Sequence, residues 1–166
     1  VTSVKEIWTY DGVVQEAFCP QSVTIVLEHD IDVSRGSMLI GSDHLPGSSS
    51  DLQAEVCWMH ARPLQRGKKY FLKHTTHTVQ VVVTELVHKL NMATLQTEPE
   101  PAELAVNDIG EIRLHSAKPL VYDGYGTNRL TGSFILIEPG TNATVAAGML
   151  MPPRECVKSE NGDYVI

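Results

Sequence analysis

The chain lacks any apolar run approaching the roughly 20 residues that a membrane helix needs. Its N-terminal segment has no charged-then-apolar leader. Cysteine is scarce: Cys19, Cys57 and Cys156 are odd in number, and no two stand at C-x-x-C spacing. That speaks against a disulfide framework and against a zinc knuckle. A reducing compartment is the simplest setting, so a cytoplasmic location is expected. Positive charge is also short. The net charge is −7 and the pI about 5.4, whereas a general nucleic-acid binder needs cations to displace counterions from phosphates. The one local basic cluster, Arg62, Arg66, Lys68 and Lys69, reads as a solvated loop. Helical periodicity with caps is missing too; Glu103–Val106 offers a single turn at most.

Chemistry-bearing motifs are equally thin. A phosphate loop needs glycines that let backbone amides cradle the phosphates, and a Lys followed by Ser or Thr. The nearest stretch, Gly36 to Asp43, has the glycine spacing but carries Ser42 where the Lys belongs. Asp123-Gly-Tyr-Gly126 fits Asp-x-x-Gly, a pattern too short to be specific, and no Asn-Lys-x-Asp guanine-reading motif exists. No nucleotide, catalytic or cofactor residue is therefore assigned. His74 and His77 invite a metal reading, but residues three apart on a continuous strand face opposite ways, and no nearby Cys, Asp or Glu completes a ligand set. His60, His88 and His115 are similarly isolated. Asp30 and Asp32, or Glu98 and Glu100, are paired carboxylates in turn or loop contexts. Asn142-Ala-Thr144 matches a glycosylation sequon but reads as a turn.

What is present is β-rich. The 166 residues, 42% of them hydrophobic, can bury roughly 70% of their unfolded surface. Ser22–Leu27, Ala54–Met59, Thr78–Val87 and Gly110–His115 alternate or are β-branched and read as strands. Within Thr78–Val87, Val79, Val81 and Val83 share one face; Val82, Thr84 and Leu86 share the other. Turns recur at Tyr10-Asp-Gly12, Ser34-Arg-Gly36, Gln65-Arg-Gly67, Asn107–Gly110 and Pro139-Gly140. Many short strands with regular turns predict an antiparallel barrel or sandwich. Gly41–Asp51 reads as a linker or long surface loop. Thr97–Ala102 is too proline-rich for an interior strand. The segment before the linker holds too few strands to close a barrel, so the chain reads as a piece of something larger.

The most informative stretch is Pro119–Met149. A polar loop, Tyr122–Gly132, feeds an apolar run, Phe134–Ile137, and the turn Glu138–Thr141 leads into a second, Val145–Leu150. Together with Glu16–Thr24, Asp30–Gly36, Ala54–Met59, Pro63-Leu64, Tyr70–Lys73, Asn107–Gly110 and Asn128–Phe134, it resembles the C-terminal barrels of the large, GTP-binding subunit of bacterial sulfate adenylyltransferase, a relative of the translational elongation factors. Trp58-Met59 followed by Pro63-Leu64 is the more specific signal. Ser37 stands where that family usually has Asp, and Ala146 where it usually has Gly.

The resemblance implies an all-β fold of antiparallel translation-factor-type (elongation factor Tu-like) barrels. Residues 1–44 would end a second, partial barrel, residues 45–152 would form a complete third Greek-key barrel, and 153–166 would be a tail. It implies a scaffold in sulfate assimilation. GTP and Mg would belong to a GTPase domain of the same parent chain. The partners would be that domain and the small catalytic subunit, which makes adenosine 5′-phosphosulfate. Tyr122, Tyr125, Asn128 and Arg129 form the candidate partner-binding constellation, since aromatics and Arg anchor interfaces. The competing reading has the tyrosines capping the barrel end and Arg129 pairing with a carboxylate. Two other functions stay open: the tRNA-binding barrels of a translational GTPase, and an independent binding module.

Overall fold

A computed structural model describes residues 2–41 and 46–153. The tail beyond 153, with Cys156, and Ser42 of the phosphate-loop comparison lie outside them. The chain divides into two compact units near Ser37.

In the first unit, β1 (Val4–Thr9), β2 (Gly12–Val14) and β3 (Thr24–Leu27) form a three-stranded antiparallel sheet in the order β2-β1-β3. Gly12, at φ 124°, supplies the left-handed backbone that turns β1 into β2. The Ser34–Gly36 turn closes with Ser37 N–H donating to the Ser34 carbonyl at 3.0 Å.

The second unit is a barrel of β4 (Gly47–Trp58), β5 (Lys69–His74), β6 (His77–Leu90), β8 (Ile109–Tyr122), β9 (Ser133–Ile137) and β10 (Thr144–Leu150), with β7 (Thr97–Pro99) added at the rim. The order β5-β9-β10-β4-β8-β6 closes on itself through β5–β6 pairing, and every pairing is antiparallel. Closure removes sheet edges. The proline-rich segment pairs only with β6, through Thr97–Pro99, and all three residues are exposed. That suits an edge strand, where Pro forfeits no ladder bond.

The barrel interior is apolar because alternate residues of each strand point inward. Leu52, Ala54, Val56 and Trp58 from β4 meet Val79, Val81 and Val83 from β6 and Ile112 and Leu114 from β8. Two expectations change here. Thr84 is an extra residue between Val83 and Glu85, a bulge that reverses the alternation. Leu86 is therefore buried rather than sharing the outer face of Val82 and Thr84. In addition, Gly47–Asp51, read as linker, is the opening of β4, paired with Leu120–Tyr122 and then His115 of β8 across a second bulge. No helix occurs among the described residues, and none is long and apolar enough to cross a membrane.

Candidate functional site

The outer wall of the barrel has two characters. Across β4, β8 and β6 it is laced with charge. Arg113 donates to Glu85 at 2.6 Å, and His115 Nδ1 lies 2.7 Å from Asp51. Gln53 donates to Glu111 at 2.5 Å. His88 approaches Glu111, and Lys89 approaches Glu98 and Asp108, all within 3.7 Å. Most of the charge on this face is answered within it, although Arg113 Nε is buried without a hydrogen-bond partner among the described residues.

Across β4, β10 and β9 the outward positions are instead mainly apolar: Cys57, Ala147, Met149 and Ile135, with Glu55 and Ser133 among them. They line a shallow groove of about 610 Å³, overhung by Tyr125 and Leu130. Leu130 is 80% exposed. An apolar strip beside a charged one on the same barrel is a candidate contact surface.

The overhanging loop is built from backbone bonds. Tyr125 N–H donates to the Leu150 carbonyl at 2.9 Å, Asn128 N–H to Gly124 at 3.1 Å, and Gly132 N–H to Asn128 at 2.8 Å; Leu150 N–H returns to Gly132 at 2.7 Å. The side chains add to this. Asn128 Oδ1 accepts from Leu130 N–H at 3.1 Å, and Thr131 Oγ1 donates to Asp123 at 2.7 Å. The loop is thus preorganised, which lowers the entropic cost of docking.

Of the four candidate residues, Tyr125, Asn128 and Arg129 fall together on this loop. Tyr122 does not join them. It is 2% exposed and packs within the barrel, and burial raises its phenol pKa. Its place at the inward-facing end of β8 corrects the picture of an exposed aromatic. Arg129 pairs with no carboxylate among the described residues; its guanidinium lies 5.9 Å over the Tyr125 ring, within cation–π range.

Sequence reasoning missed His74 as a support of this loop. The expectation is of strand or loop histidines, whose joint ligation would need a bend. A bend is present: His74 and His77 are opposite partners across the Thr75-Thr76 hairpin, where Thr75 takes φ 49°. His74 is 1% exposed. Its Nε2 sits 2.6 Å from the Thr131 carbonyl. A carbonyl only accepts, so Nε2 carries the proton and donates. No group of three or more metal-ligating side chains occurs among the described residues.

Burial lowers the His74 pKa from its ordinary 6.5; the Thr131 bond opposes this, His77 adds to it and Asp123 counters. The sign follows: below about pH 6.5 the unfolded chain takes a proton that folded His74 resists, so stability falls as pH drops. Urea unfolding between about pH 7 and 5 should show a shallower pH slope for His74→Gln than for the parent, by up to about 1.4 kcal/mol per pH unit. Equal slopes would remove His74 from this role.

A closed six-stranded antiparallel barrel preceded by a smaller β-sheet, with its exposed loop above an apolar wall, defines a translation-factor-type barrel protein. The model of the GTP-eEF1A C-terminal domain-like family matches residues 51–151, and the chain belongs to that family. It is 45% identical over 150 residues to the bifunctional enzyme CysN/CysC of Rhodopirellula baltica, covering 90% of this chain and 23% of that protein. It is 40% identical over 151 residues to sulfate adenylyltransferase subunit 1 of Bacteroides fragilis, covering 91% and 32%. The chain thus spans about a quarter to a third of these relatives. A crystal structure of Sup35 complexed with GDP shares the fold, with TM-score 0.77 and 18% identity over 93% of this chain and 38% of that one.

Proposed function

We propose that this chain is the barrel region of the GTP-binding subunit of a sulfate adenylyltransferase, acting in the cytoplasm as a scaffold in sulfate assimilation. The observation that carries this reading is the reach of the similarity. The family model covers residues 51–151, whereas identity to relatives named for sulfate adenylyltransferase extends over about 90% of the chain and so into the first unit. In the proposed scheme GTP and Mg are held by a GTPase domain of the parent chain. The small catalytic subunit transfers the adenylyl group of ATP to sulfate, giving adenosine 5′-phosphosulfate and releasing pyrophosphate. The barrel transmits the movement of the GTPase domain to that subunit, and the groove under Tyr125, Asn128 and Arg129 is where it is gripped.

A largely apolar groove rimmed by the Tyr125 ring, on which Arg129 stacks, has the composition of an interface hot spot. Calorimetry with the small catalytic subunit, without nucleotide, should give micromolar or tighter binding. Tyr125→Ala or Arg129→Ala should each weaken it about tenfold, or about 1.4 kcal/mol. Absence of binding, or measurable GTP turnover by the purified chain, would overturn the scaffold reading. A salt-sensitive gel shift with tRNA would favour the translation-factor reading instead.

A further inference from the structure

A second pocket lies at a corner of the barrel, between the loop that follows β4 and the β9–β10 hairpin. Trp58, Tyr70 and Val145 form its floor, and His60, Arg62 and Lys68 stand around it. Its volume is about 270 Å³. The floor is buried, so a ligand meets the polar rim rather than stacking on the indole.

The rim is held rigidly. Trp58 Nε1 donates to the Arg62 carbonyl at 2.8 Å, and Arg62 N–H donates to His60 Nδ1 at 3.1 Å. Leu64 exchanges backbone bonds with Leu104 at 2.9 and 3.1 Å, and both side chains are fully buried. Gly67, at φ 80°, donates to Val83, and Val83 donates back to Lys68. A loop pinned at three points presents its charges in fixed positions, which is what a recognition surface requires.

Those charges are one-sided. Between Glu55 and Glu85 the sequence holds five of the chain's 13 Lys and Arg and none of its 20 Asp and Glu. Arg62 is paired with Glu138, whose carboxyl is held below the ordinary range chiefly by the Thr141 hydroxyl at 2.8 Å, with Arg62 and His60 assisting. Arg66, Lys68 and Lys69 are exposed and form no ion pair among the described residues. Clustered exposed cations without ion-pair partners, on a rigid loop of a chain with net charge −7, form a local positive patch open to an anionic partner.

We propose that this loop and pocket are a docking site for an acidic protein segment, whose carboxylates meet Arg66, Lys68 and Lys69 and compete with Glu138 for Arg62. A short acidic segment matches the footprint. A polyanion such as nucleic acid extends past the loop toward Glu103, which stands 3.5 Å from Gln65, and into the field of a chain with net charge −7. The site is independent of the groove under Tyr125.

The test is amide NMR of the whole chain, titrated at low salt with an oligoglutamate peptide and, separately, with a single-stranded oligonucleotide of equal charge. The peptide should move the amides of residues 60–69 and 138–142. The double variant Arg66→Glu/Lys68→Glu, changed only at exposed positions, should bind it about tenfold more weakly with the rest of its spectrum unchanged. Shifts scattered over the chain, binding unaltered in the variant, or preference for the oligonucleotide would each overturn the proposal.

Discussion

Trp58→Ala should destabilise the barrel by about 3–5 kcal/mol, the range for truncating a large buried aromatic. Trp58 is the largest fully buried side chain, 1% exposed. It meets Tyr70 edge-to-face at 5.6 Å. Its indole N–H also satisfies the Arg62 carbonyl, and its backbone answers both Asp108 and Asn107. Removing the ring opens a cavity under the β4–β5 loop and orphans that carbonyl, which adds about 1 kcal/mol. Trp58→Phe retains the ring contact with Tyr70 and should lose only about half as much. Urea titration followed by circular dichroism measures both, since the tryptophan that remains, Trp8, lies in the first unit rather than in the barrel. A loss below about 1 kcal/mol for the Ala variant would mean the barrel end is not organised around this ring.

Gly132→Ala should be the most damaging single-methyl addition. A Cβ there would lie 2.4 Å from Tyr125 Cα, 2.5 Å from its nitrogen and 2.7 Å from the Asn128 carbonyl oxygen. All three are backbone atoms, so no rotamer relieves the clash. The loop must lift, which breaks the Leu150–Gly132 and Tyr125–Leu150 bonds. We expect about 2–4 kcal/mol of lost stability. Affinity for the proposed catalytic partner should fall although Tyr125 and Arg129 are untouched. Thermal unfolding and the calorimetric titration read the two effects separately. A variant of parental stability would show that the loop has slack.

Legibility in the sequence followed periodicity. Val79, Val81 and Val83 alternate without interruption, and all three are interior. Leu86 was misplaced because a bulge depends on the partner strand, and a single extra residue such as Thr84 leaves no mark in composition. Gly47–Asp51 looked like linker because Gly and Ser lack strand propensity; pairing with β8 overrides that preference. Thr75-Thr76 is an unusual two-residue turn, so the hairpin that brings His74 opposite His77 had no Gly or Asn to announce it. The candidate loop was visible as a polar stretch between apolar runs. The division within it was not. Tyr122 is separated from Tyr125 by only three positions, and the inward end of β8 decides which ring is buried.

The position of β4 has a consequence for the making of the protein. β4 is the first barrel strand to be synthesised, yet its neighbours are β8 and β10, the latter ending at Leu150. On the ribosome, β5, β6, β7 and β8 can pair as they emerge, while one flank of β4 has no partner until nearly the last barrel residue leaves the exit tunnel. Closure is therefore a late, long-range event within the barrel, with its loop entropy incurred only once β10 has been made. Until β10 is made, one flank of the groove strand β4 lacks its partner, at the stage when a nascent chain is most exposed to wrong pairing.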